Sequence, residues 1–251
     1  MRTSIILFLA PFFLALGLPP LYGAAPVMSP GLNRELRLIT LVPIDAPLFL
    51  GVNPSASKLR LSTTQLNCYT DGLAGRNIEI FNSKITSDLK QVKVIYATAP
   101  WPEPSLRALG ILYPGGMASS PHGRLLLLAD SIERYPEKSV RVINLMERPL
   151  MVKGGGKGEE LGVNGELVIL LNSTDGEVQL EVSISEKQGE WRRALSRYLT
   201  NPKHYRSVVI LRPDDKSTPD EDAALPDMIH VLDQTSPLPA EPLRPSPVVV
   251  P

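Results

Sequence analysis

Cysteine and histidine are scarce in this chain, which holds one cysteine, Cys68, and three histidines, His122, His204 and His230. A single thiol closes no intrachain disulfide, so the fold must rest on its apolar core. The apolar neighbours Leu66 and Tyr69 predict that Cys68 is a small buried strand residue rather than a reactive thiol. The histidines lie in separate segments at no metal-type spacing, which argues against a catalytic zinc site, and no cofactor motif stands out. Net charge is lacking as well. Lysine plus arginine and aspartate plus glutamate number 26 each, so there is no field to attract nucleic acid or an acidic membrane surface. Helical periodicity is almost absent.

One long apolar run is present, at the start. Arg2 supplies a positive charge, Ile5 to Leu18 are apolar, Pro19-Pro20 interrupt them, and the small residues Gly23, Ala24 and Ala25 follow. This order predicts a secretory signal peptide over residues 1–24, cut after Gly23 or Ala24. The alternative is an uncleaved anchor, although a span needs about 20 apolar residues and this core contains Pro11. The expected location is periplasmic or extracellular, with no membrane span after cleavage.

Between about Arg34 and Arg212 short apolar runs alternate with turn residues, which predicts an all-β protein, an antiparallel β-sandwich. Val178 to Ile184 alternate apolar and polar without exception. Gln91 to Tyr96 follow the same pattern, with Val92, Val94 and Tyr96 facing inward. The continuous run Leu167 to Leu171 reads as a central strand buried on both faces. Trp191, Ala194, Leu195, Tyr198 and Leu199 fall at helical spacing and favour a short helix, with a bulged strand as the alternative.

The glycine, serine and proline residues between Pro114 and Gly123 mark the best internal boundary. The reading is therefore one half over residues 31–114 and another over 123–213. Both halves carry an alternating strand, a glycine turn and an apolar strand running into proline. That allows either two small duplicated units or one large sandwich. Residues 214–251 are rich in proline and acid and predict a disordered tail.

The string Ser139-Val140-Arg141-Val142-Ile143-Asn144-Leu145, followed by Leu150-Met151-Val152 and a glycine turn, resembles the opening hairpin of exported bacterial β-sandwich domains. Some of those are of unknown function, and the periplasmic accessory protein of alginate acetylation is similar in style. The resemblance covers about residues 139–211. It implies architecture and compartment and carries over no catalytic residue.

Local chemistry is sparse. Gly154-Gly155-Gly156-Lys157-Gly158 lacks the Ser or Thr and the helix of a phosphate loop, and reads as a flexible connection. Ser119 and Ser120 beside His122 lack a nucleophile elbow and read as a surface turn. Asp214 and Asp215 with Asp220, Glu221 and Asp222 form a solvated linker, not a calcium loop. Asn172-Ser173-Thr174 matches a glycosylation acceptor. Trp101, between two prolines, is the best candidate for an exposed stacking platform for sugar or peptide, with Tyr135 a poorer one; otherwise the indole covers a sheet end. The expected function is a non-enzymatic accessory or binding protein of the cell envelope whose partner is an envelope protein or polysaccharide. The alternatives are an exported hydrolase or esterase and a packing subunit of a larger assembly.

Overall fold

A computed structural model describes residues 34–51, 58–71, 73, 75–113, 123–156, 158–171, 176–186, 190–214 and 225–235. The expected signal peptide, the segment holding Ser119, Ser120 and His122, Lys157, the Asn172 acceptor pattern and residues 236–251 lie outside them, as do Asp215 and residues 220–222 of the acidic run.

Among the described residues the protein is all-β. The strands are β1 (Glu35–Thr40), β2 (Leu48–Leu50), β3 (Asn67–Tyr69), β4 (Asn77–Ile85), β5 (Gln91–Pro100), β6 (Arg107–Tyr113) and β7 (Arg124–Ala129). They continue with β8 (Ser139–Asn144), β9 (Leu150–Gly154), β10 (Glu159–Leu161), β11 (Glu166–Leu170), β12 (Glu177–Ser185), β13 (Trp191–Thr200), β14 (Tyr205–Pro213) and β15 (Pro226–Gln234). Four sheets result, ordered β3-β1-β6-β7, β2-β4-β5, β11-β8-β14-β15 and β10-β9-β12-β13.

Three cores explain the hydrophobic patterns. Leu36, Leu38, Ala108 and Leu112 of the first sheet meet Leu48, Leu50, Ile78, Ile80, Ala97 and Ala99 of the second. Val140, Val142, Val209 and Leu211 meet Leu150, Val152, Leu180, Val182 and Ile184 in the same way. The opposite faces of the β1 and β8 sheets supply Ile39, Leu109, Ile111, Ile143, Val208 and Ile210 to a third core. These two sheets are buried on both faces, so β6 and β14 read as unbroken apolar runs. The β4-β5 and β12-β13 hairpins contribute one face to a core, and β12 alternates as its sequence predicts.

The second half repeats the first. β1 pairs with β6 in parallel, as β8 does with β14, and every other pairing is antiparallel. The β4-β5 and β12-β13 hairpins each contain one bulge. An isolated bridge from Phe49 to Lys58 stands where β10 pairs with β9. Even single backbone bonds recur: Leu41 donates to the Leu112 carbonyl as Leu145 does to Leu211, and Trp101 donates to Arg76 as Asn201 does to Gly176.

Several expectations are corrected. Trp191 to Leu199 lie in a strand. The register passes from Val182↔Leu195 to Ser183↔Arg193, leaving Ala194 as the bulged residue, and this break in alternation imitates helical spacing. Tyr96 packs against the first core as expected, but it is the bulged residue of β5 and breaks the alternation, so Ala97 and Ala99 also point into the core while Val92 is exposed. β11 is an edge strand with Leu170 exposed, because only one of its faces meets a core. β8 and β9 join different sheets instead of forming a hairpin. β7 pairs with β6, which moves the division between halves to the segment between Ala129 and Ser139. β15, in the segment expected to be tail, pairs along the whole of β14 and buries Val231 and Asp233.

Candidate functional site

Where the two halves meet, charges stand among apolar strand residues. Arg37 lies opposite Leu109, and Arg141 lies opposite Val208. Asp130 donates its N–H to the Arg107 carbonyl at the end of the β6-β7 pair, and Arg206 lies opposite Asp233 on β14 and β15. Exchanging the halves therefore maps Arg37 onto Arg141, Arg107 onto Arg206 and Asp130 onto Asp233.

The ion pairs obey this exchange. Arg37 bonds to Asp233, and Arg141 lies 3.1 Å from Asp130. Arg107 stands 3.8 Å from Asp233, and Arg206 stands 2.7 Å from Asp130. Within each half Arg206 bonds to Asp233, and Arg107 lies 3.4 Å from Asp130. Arg141, Arg206, Asp130 and Asp233 are all buried. Buried charges persist only when paired and hydrogen-bonded, and here each half supplies counter-charges to the other.

The two ends of the seam differ. At the Arg141 end the Tyr135 ring covers the guanidinium, whose central carbon is 3.9 Å from the ring centroid. Tyr135 Oη and Arg141 Nε each donate to Glu166 Oε2 at 2.8 Å, and the Tyr135 carbonyl accepts from Arg206 Nη1 at 2.9 Å. Burial pushes the Tyr135 hydroxyl up to about 12, against the charge of Arg141, so it stays a donor. At the Arg37 end the strand register puts Leu66 where Glu166 stands, since Cys68 opposes Arg37 as Val168 opposes Arg141. Arg37 Nε instead donates to Glu35 at 2.6 Å. Burial raises the Glu35 carboxyl, but the Arg37 hydrogen bond and the charges of Arg107 and Arg37 outweigh it and hold the carboxyl below its ordinary range.

A groove of ≈ 740 Å³ opens at the Arg37 end, between the edge strands β3 and β15. Gln65, Leu66 and Cys68 line one wall, and His230 and Gln234 the other. Cys68 is exposed here, in contrast to its expected burial, because β3 is an edge strand of only three residues. Partial desolvation and the nearby Glu35 carboxylate push its thiol above the ordinary range, so it is a poor nucleophile. His230 belongs to a relay. Asn201 Nδ2 donates to the Ser139 carbonyl at 2.7 Å, Ser207 Oγ donates to Asn201 Oδ1, and His230 Nε2 lies 2.8 Å from Ser207 Oγ. With the serine proton committed to Asn201, His230 is the donor, and burial lowers its pKa.

The two aromatic candidates are placed elsewhere. Trp101 is 4 % exposed, closes the first core and donates Nε1–H to the Ser105 carbonyl at 2.6 Å. Tyr135 is 0 % exposed. Neither ring is a platform open to a ligand, and the structure does not bring them together. Among the described residues no cluster of histidine, cysteine or carboxylate is arranged to hold a metal ion, and no helix is long and apolar enough to cross a membrane. The sequence reading missed Arg37, Leu66, Arg107, Asp130, Asp233 and the groove. The available signal was an arginine inside each of two otherwise apolar strands, Leu36-Arg37-Leu38 and Val140-Arg141-Val142. No protein family's sequence profile matches the chain, and no curated protein matches it.

Proposed function

We propose that this is an exported, non-enzymatic accessory or binding protein of the cell envelope that holds an extended polypeptide in the groove beside Arg37. One observation carries the reading: of two ends related by the exchange of halves, one is sealed by Tyr135 and Glu166 while the other opens between two sheet edges. Edge strands leave backbone N–H and C=O groups facing outward, which an added strand can pair. Gln65, exposed on the β3 side of the groove, supplies a side-chain donor and acceptor to fix its register. The apolar leader supports export, and the resemblance over residues 139–211 points to the same compartment.

The test is a photoreactive side chain at position 65, compared with one at Lys84 on the outer hairpin, in native cells. Adducts with another envelope polypeptide at 65 and none at 84 support the reading. Equal labelling at both positions, no adduct with another polypeptide, or a cytosolic chain that keeps its first two dozen residues overturns it.

A further inference from the structure

We propose that the chain's own residues 236–239 seat in the groove, with Leu238 against Leu66 and Arg37. The exchange of halves that maps Asp130 onto Asp233 also maps the chain leaving each aspartate. From Asp130 it reaches Tyr135 and then Pro136; from Asp233 it reaches Leu238, at the same spacing, and then Pro239. Leu238-Pro239 is the counterpart of the Tyr135-Pro136 pair that seals the other end.

The chemistry of the walls changes in step. The Tyr135 hydroxyl needs an acceptor and has Glu166. Leucine needs none, and the residue in the place of Glu166 is Leu66, an apolar side chain on the groove wall. An apolar pair replaces a hydrogen-bonded one, as burial requires on both sides. Arg206 Nη1 donates to the Tyr135 carbonyl; in its counterpart Arg107, Nε lies 3.5 Å from Glu35 and Nη2 lies 3.4 Å from Asp130, within ion-pair range but without a hydrogen bond. A carbonyl of the seated segment beside Arg107 would stand where the Tyr135 carbonyl stands beside Arg206, adding an acceptor to a guanidinium that the carboxylates alone hold only by ion pairing.

Reach is not limiting. Thr235 is anchored to the His204 carbonyl through its N–H and its hydroxyl, each at 2.9 Å, at the end of the strand that forms one groove wall. Three extended residues beyond it span about 10 Å. The segment is thus an internal ligand that an external polypeptide must displace, so it sets the threshold for partner binding.

The full chain tests this directly. Leu66→Cys and Leu238→Cys are combined in a Cys68→Ser background and oxidised gently, beside a control with Val248→Cys replacing Leu238→Cys. A seated segment gives a faster intramolecular disulfide with position 238 than with 248. Equal rates, or a disulfide between two molecules, overturn the proposal, the latter by assigning the groove to a second copy. If the cysteine variants misfold, a labelled peptide of residues 236–251 is titrated against the chain ending at Thr235. Saturable binding abolished by Leu238→Asp in the peptide supports seating; no binding, or binding indifferent to that change, overturns it. The proposal shares its groove with the functional reading, but the outcomes separate. A 66–238 crosslink without envelope adducts at position 65 leaves the seating and removes the function; the reverse pattern leaves the function and removes the seating.

Discussion

Asp130 accepts from Arg141 Nη1 at 3.1 Å and Arg206 Nη2 at 2.7 Å with no solvent to replace it. Asp130→Asn keeps the shape and removes one negative charge from the seam, leaving Arg141 with Glu166 alone and Arg206 with Asp233 alone. It should lower unfolding free energy by about 3–5 kcal/mol in urea titration. Asp233→Asn should cost a similar amount, and the double variant less than the sum, because both substitutions act on shared partners. His230 gives a pH signature. Its folded pKa lies below the ordinary 6.5, so the folded state binds fewer protons than the unfolded one between those two values. Stability is complete above about pH 6.5 and falls as the solution is acidified through that window. Thermal melts from about pH 7 to about pH 5.5 should show the fall, and His230→Gln, which keeps a donor for Ser207, should flatten it.

At the scale of elements, the ends of the hairpins and the edges of the sheets decide most. Leu89, in the β4-β5 turn, has φ 59° and is 87 % exposed, so its side chain buries little and the left-handed backbone strains it. Leu89→Gly should raise stability by about 1 kcal/mol, read as a higher melting temperature. β15 matters more. A chain ending at Pro213 lacks Asp233 and a strand paired along all of β14, and should fail to give a folded product on size-exclusion chromatography. One ending at Thr235 should elute compactly. Strand content was legible because two-faced burial writes unbroken apolar runs and one-faced burial writes alternation, as in β14 and β12. The bulges at Tyr96 and Ala194 were not legible, since each reverses the alternation without a glycine or proline to mark it. β15 was hidden by the prolines around it, although Pro226 only opens the strand, where its missing N–H costs little.

At the largest scale, the described residues form two copies of one unit joined along a charged seam and a third core to which Ile39 and Ile143, Leu41 and Leu145, and Ile111 and Ile210 contribute as equivalent pairs. Such a contact couples the halves, and calorimetry should record a single cooperative transition instead of two. The repeat is written in the chain as Leu36-Arg37-Leu38-Ile39-Thr40-Leu41 and Val140-Arg141-Val142-Ile143-Asn144-Leu145. Composition and periodicity point to the strands and pass over the seam, because they register arginine as a solvent residue wherever it stands. The groove was less legible still, since it arises from a difference between two matching ends that only the paired geometry reveals.

The seam also orders events during synthesis. Arg37 is among the first residues of the folded region to leave the ribosome, and its partner Asp233 lies 196 positions later. Until that strand arrives, the first half carries two arginines against one aspartate at the surface it will bury. The last of the described strands to be made, β15, is the one that locks the first.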